Sequence, residues 1–117
     1  KMFYMSSGLK SIDLSNFNTS SVTDVSSMFY NCSNLTTLDL SSFNISNVTN
    51  TSQMFMLATK LKTIYVSDLW NTSKVANSTN MFHSCTSLSG AVSYDNTKTD
   101  ISMANYTTGY LTYKSNN

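Results

Sequence analysis

The sequence has no proline, one histidine, one tryptophan and two cysteines in 117 residues. Charge is equally scarce: seven Lys/Arg against six Asp/Glu, for a net +1. That balance argues against a nucleic-acid partner, which needs a basic footprint to neutralise phosphates. It argues equally against an anionic membrane patch. No run approaches the roughly 20 apolar residues of a membrane-spanning helix, so no membrane insertion by this segment is expected. No signal peptide is visible. The chain opens inside a repeat, at Lys1-Met2-Phe3, and is expected to be a piece of something longer. A single histidine, His83, with two distant cysteines does not make a zinc site. No nucleophile motif accompanies it. No metal and no cofactor is therefore expected; composition does not exclude a Ser–His–Asp triad, but no motif supports one, and the chain is not expected to be an enzyme.

What the sequence does have is repetition. Met-Phe occurs at Met2, Met28, Met54 and Met81, at steps of 26, 26 and 27 residues. Other apolar positions keep the register: Leu9, Leu35, Leu61 and Leu88; Ile12, Leu38 and Ile64; Leu14, Leu40 and Val66. A fixed period in the twenties is the signature of stacked units that bury their apolar sides only against their neighbours. Residues 1–88 form the array, with units starting near Met2, Met28, Met54 and Met81. Residues 89–117 leave the pattern and are read as the last strand and a C-terminal cap. Ala91 and Ser93 would take the inward strand positions there, and Tyr106, Tyr110 and Tyr113 would cover the open core end with hydroxyls facing water.

Within a unit, Ile12 and Leu14 alternate with Ser11, Asp13 and Ser15. Period two means a strand with one buried face. The L-x-x-[IL]-x-L spacing is the leucine-rich-repeat strand signature. Val25, Met28, Phe29 and Cys32 fall at i, i+3, i+4 and i+7, one helical face, with Asp24 or Ser26 able to cap its start. The expected fold class is thus α/β: a leucine-rich-repeat-like solenoid. Each unit of ~26 residues would carry one short parallel strand plus a short helix or 3₁₀ turn. Asn18, Asn44 and Asn71 hold equivalent turn positions, and an internal asparagine ladder there would satisfy backbone groups at a tight bend.

Asn, Ser and Thr make up close to half of the residues, a hydrated, weakly charged surface common outside cells. Nine Asn-x-Ser/Thr triplets are read mostly as a by-product of that composition rather than as glycan sites. Cys32 and Cys85 are equivalent positions two units apart. Parallel strands two spacings apart lie ~10 Å from one another, and a disulfide needs Cα atoms within ~7 Å. Two free, buried thiols are expected.

The pattern resembles the BspA-like leucine-rich-repeat surface proteins of bacteria. The likeness rests on M-F-x-x-C-x-x-L-x-x-L-D-L-S-x-F at Met28–Phe43 and on Asn47-Val48-Thr49. Gly90, Tyr94, Asp100, Ala104 and Gly109-Tyr110-Leu111-Thr112 look like that family's array ending. The third unit departs: Ala58 replaces Cys, Tyr65-Val66 replaces Asp-Leu, and Trp70 is inserted. The resemblance implies a secreted or wall-anchored chain, a cell-surface adhesin module without catalytic residues, whose partner is a host or neighbouring-cell surface protein.

The outward strand rows are Ser11, Thr37, Thr63; Asp13, Asp39, Tyr65; and Ser15, Ser41, Ser67. In solenoids such a face is an extended binding surface. Tyr65, Trp70, Tyr94, Asp13 and Asp39 are the candidate ligand-binding residues, the rings because exposed aromatics among small polar residues suit protein or glycan recognition. Trp70 has a competing reading as a core residue in place of Phe43. A carbohydrate-binding module and a spacer or filament subunit stacking through its open N-terminal coil are the alternatives.

Overall fold

The computed structural model describes Leu14 and residues 18–115. The N-terminal coil and its stacking role, with Ser11, Asp13, Ser15 and Phe17, lie outside the described residues. Alternation in Thr37-Leu38-Asp39 and Thr63-Ile64-Tyr65-Val66 yields two strands, β1 (Thr37–Asp39) and β2 (Thr63–Val66). They pair in parallel as Thr37↔Thr63, Leu38↔Ile64 and Asp39↔Tyr65, an offset equal to the sequence period. Leu38, Leu40, Ile64 and Val66 are fully buried.

The segment Val25–Cys32 is not a helix. Every second amide turns inward on its own unit: Met28 N to Val25 O, Tyr30 N to Ser27 O and Cys32 N to Phe29 O, each 3.2 Å. The amides between them donate to the next unit: Ser27 N to Ser52 O (3.0 Å), Phe29 N to Met54 O (2.9 Å) and Asn31 N to Met56 O (2.7 Å). The third unit repeats this from Gln53, Phe55 and Leu57 to Thr79, Met81 and His83. A helix would spend every amide locally. Here backbone groups that must pair find partners in the neighbouring unit instead. The alternation requires left-handed residues at fixed places: Ser27, Asn31, Gln53, Leu57, Asn80 and Ser84, with φ of 55–66°. The buried set is nonetheless the one the helical spacing selected, since Val25, Met28, Phe29 and Cys32 all face the core. Among the described residues the one regular helical turn is 3₁₀, at Ile101–Met103, capped by the Asp100 side chain.

A further parallel contact links Asp24, Asn50 and Asn77 as isolated bridges. Inside, the rings of Phe29, Phe55 and Phe82 stack at 5.8 and 5.5 Å, tilted by only 1° and 12°. Tyr110 closes that row edge-on, 5.3 Å from Phe82. It is fully buried, and its hydroxyl lies within bonding distance of the Lys98 (2.7 Å) and Asp95 (2.9 Å) carbonyls. Of the three tyrosines expected to cover the core end, Tyr110 alone is buried, and it faces backbone rather than water. Tyr106 and Tyr113 are exposed.

The third strand also departs from expectation. Ala91 and Ser93 are exposed, and the chain folds back at Gly90 through a Ser89↔Ser93 antiparallel bridge. The place beside β2 is taken by β3 (Thr112–Tyr113), paired as Tyr65↔Thr112 and Val66↔Tyr113. The reason is volume. Ala91 and Ser93 offer little apolar area, whereas Leu111 is fully buried, and burying a leucine is worth ~1.5–3 kcal/mol. Gly90 makes room for the passing tail, since a Cβ there would sit 2.4 Å from the Tyr110 carbonyl carbon.

Turns are set by one local device. Asn18, Asn44, Asn50, Asn71, Asn77 and Asn105 each accept a hydrogen bond from the amide two residues on, always that of a Ser or Thr. Asp24, Asp39, Asp95 and Asp100 do the same. Six of the nine Asn-x-Ser/Thr triplets are therefore turn chemistry and not merely composition. The expected internal asparagine ladder is absent from this geometry: Asn18 and Asn71 are exposed and each serves its own turn. Thr19 makes the link between units instead, its hydroxyl donating to Asn44 O (3.1 Å) and accepting from Asn44 N (2.8 Å).

Candidate binding surface

Because β1, β2 and β3 run parallel and in register, Asp39, Tyr65 and Thr112 stand side by side on the outer face of the sheet. Thr37 and Thr63 form the adjacent row. Past β3 the Lys114 amide donates to Val66 O (2.8 Å), which carries the ladder one step further. The Lys114 ammonium then crosses the face. It lies 2.5 Å from Asp39 Oδ2 and 5.5 Å from the centre of the Tyr65 ring. The other carboxylate oxygen of Asp39 accepts from the Ser41 amide (3.0 Å) and hydroxyl (2.6 Å).

These contacts set the protonation of the site. Partial burial pushes the Asp39 carboxyl up, but Lys114 and Ser41 together outweigh it and hold the group below its ordinary value. The same hydrogen bond from the Asp39 side raises Lys114. Both side chains remain about half exposed, at 50% for Lys114 and 41% for Asp39, so the pair is accessible to an outside competitor and contributes little to stability.

The other candidate residues fall elsewhere. Asp13 is outside the described residues. Trp70 is half-buried against the core, and its indole N–H donates to Ala104 O (3.0 Å). The inserted ring thus ties the third unit to the C-terminal segment. Tyr94 lies on the Met-Phe side: its hydroxyl donates to Phe82 O (2.9 Å) and accepts from Ser84 N (3.1 Å), and its ring sits 5.3 Å from Tyr110. Tyr65, Trp70 and Tyr94 therefore do not form one cluster. Ser41 and Ser67 are buried rather than outward, with the Ser67 hydroxyl donating to Ser41 O (2.6 Å). The strands end before these serines and the chain turns inward.

Sequence reasoning passed over Thr112 and Lys114, because nothing local marks a tail as a strand. It also assigned Tyr106 and Tyr113 to the core end. Their rings are exposed and 5.0 Å apart, and the Tyr113 hydroxyl is 3.5 Å from Asp68 Oδ2. The carboxylate of Asp68 pushes the Tyr113 phenol up. An open cleft of about 490 Å³ lies between Val92–Lys98 and Ser102–Thr108, apart from the strand face.

Both cysteines are buried and unbridged. Cys85 Sγ lies 2.9 Å from Phe55 O, and burial pushes its thiol up to about 12. His83 is exposed. Among the described residues no group of three or more His, Cys, Asp or Glu is placed to hold a metal ion. No helix there is long and apolar enough to cross a membrane.

A family described as Mycoplasma protein of unknown function, DUF285, matches residues 1–116. No curated protein and no solved structure matches the chain.

Proposed function

The chain belongs to the DUF285 family, and on that premise we propose that it is a non-enzymatic cell-surface module mediating adhesion through protein binding. The fold proposed with it is a leucine-rich-repeat-like solenoid of the BspA-like kind. Support comes from inter-unit hydrogen bonds that recur at the sequence period and from the Phe29–Phe55–Phe82 row. The proposed location is extracellular, at the cell surface or wall. The proposed partner is a host or neighbouring-cell surface protein.

One observation carries the reading. Tyr65 stands in a strand face otherwise made of small polar residues and one charge pair, Asp39–Lys114. An aromatic anchor in such a setting is worth ~2 kcal/mol or more at a protein interface. The test is Tyr65→Ala in a binding assay against immobilised surface proteins of candidate host or neighbour cells. Binding weakened thirtyfold or more, with the variant still cooperatively folded, is the expected result. Unchanged binding refutes the assignment.

A carbohydrate-binding role is the second reading, favoured by the exposed Tyr106–Tyr113 ring pair beside the Asp68 carboxylate. Rings stack on sugar C–H faces while a carboxylate accepts from sugar hydroxyls. A glycan array run beside the protein panel separates the two, with Tyr113→Ala reducing glycan binding only if this second reading holds.

A further inference from the structure

The contact between Lys114 and the strand face has the composition of a ligand site. A carboxylate and the face of an aromatic ring, on adjacent strands and in register, are together complementary to a positive charge. Asp39 and Tyr65 supply these two elements, and their backbones are held by the β1–β2 ladder. The Asp39 carboxylate is further fixed by two bonds from Ser41. What occupies the site is the chain's own ammonium, brought from 75 residues away on the segment that follows β3.

We infer that Asp39 and Tyr65 form a subsite for the ammonium or guanidinium of a basic side chain on a bound protein, and that Lys114 is its intramolecular stand-in. The inference rests on the strand-face reading above and names the chemistry that face selects. Three features support it. The negative oxygen and the ring converge on one point, the Lys114 Nζ. Both charged side chains are accessible. The neighbouring positions, Thr37, Thr63 and Thr112, are small and neutral, so the described strand residues beside the site set no like charge against an incoming cation. Lys114 then acts as a competitor. A partner's basic group must displace it, and the affinity seen is the intrinsic one reduced by the fraction of molecules whose site is open.

An exposed pair of this kind is weak, so removing Lys114 should improve binding of a free cation by only about two- to sixfold. The experiment uses the whole 117-residue chain and two small probes, Nα-acetyl-lysine amide and its neutral counterpart Nα-acetyl-norleucine amide. Tyr65 ring and Asp39 carboxyl resonances are followed by NMR in the wild type, Lys114→Met, and Lys114→Met with Asp39→Asn. The expected result is a saturable shift with the lysine probe and none with norleucine. The midpoint should be lower in Lys114→Met than in the wild type, and the response should be lost when Asp39 is also changed. In the wild type, excess lysine probe should move the Lys114 side-chain resonances toward those of a free lysine, a readout that needs no variant. A response to norleucine equal to that for lysine, a response surviving Asp39→Asn, or none in the wild type and Lys114→Met overturns the subsite. Those outcomes do so whatever Tyr65→Ala shows in the partner assay, so the adhesion reading stands or falls separately.

Discussion

Replacing Phe55 by alanine removes the middle ring of a row of three. Phe29 lies 5.8 Å from it on one side and Phe82 5.5 Å on the other, both with ring planes nearly parallel to its own. All three are fully buried. Truncating a buried phenylalanine costs ~3–5 kcal/mol through lost transfer energy and the cavity left behind. Two stacked contacts vanish together, each worth ~0.5–1.5 kcal/mol beyond area burial, which places Phe55→Ala toward the upper end of that range. The cavity cannot collapse easily, because the backbones on either side are held at a set spacing by Phe29 N to Met54 O and Phe55 N to Met81 O, each 2.9 Å. Against a typical domain stability of ~5–15 kcal/mol, this is a third or more of the total. Urea unfolding followed by far-UV circular dichroism measures the loss, with the m-value checking that the denatured state is unchanged. A corresponding fall in Tm of roughly 10–20 °C is expected. Phe55→Leu should lose markedly less. A loss below ~1 kcal/mol for Phe55→Ala would mean that the ring row is not the core.

Ser84 sits at φ 64°, where a Cβ is strained, so Ser84→Gly should raise stability by ~0.5–1 kcal/mol and Ser84→Val should lower it; a fall for Ser84→Gly in chemical denaturation refutes the strain. At Gly90 a Cβ would meet Tyr110 and Leu111 backbone at 2.4–2.5 Å. Gly90→Ala should therefore cost ~1–3 kcal/mol and loosen β3, seen as faster amide exchange at Lys114, and unchanged exchange there would show that the tail tolerates the methyl. The Cys85 thiol is held neutral up to about 12 by burial, against an ordinary 9.0. A folded-state value raised in this way stabilises the protein below the unfolded value and is lost as pH climbs from about 9 toward 12. The difference in stability between wild type and Cys85→Ala should shrink across that window, measured by denaturant titration at each pH, and a constant difference would show that Cys85 does not titrate on unfolding.

The parts of the structure legible in the sequence are those the repeat announces. Leu38 and Ile64 are inward partners in adjacent strands because the same apolar position recurs 26 residues later. Phe29, Phe55 and Phe82 stack for the same reason. A residue type recurring at a fixed interval, with hydrogen bonds between units that recur at the same interval, leaves little freedom in who touches whom. Buried faces were legible too: Val25, Met28, Phe29 and Cys32 are all inside. The element carrying them was not. A spacing of i, i+3, i+4, i+7 reports which side chains share a face, and a chain of turns satisfies it as well as a helix does. The choice depended on Met54, Met56 and Ser52 carbonyls lying within reach of alternate amides, a fact about the neighbouring unit.

The candidate site divides between the two kinds. Asp39 and Tyr65 were recognisable from their shared place in the outward row, but Thr112 and Lys114 beside them were not. Thr112 and Lys114 come from a tail with no repeat to set its register, and Tyr94, adjacent in sequence to the expected last strand, turns toward Phe82 and Tyr110 instead. Sequence by itself determined the period and the inward apolar residues of the repeated units. Tertiary structure decided which segment filled the last place beside β2, because Leu111 buries more apolar surface there than Ala91 and Ser93 offer. With that choice it brought Lys114 to Asp39 across 75 residues, a pairing that no local pattern encodes.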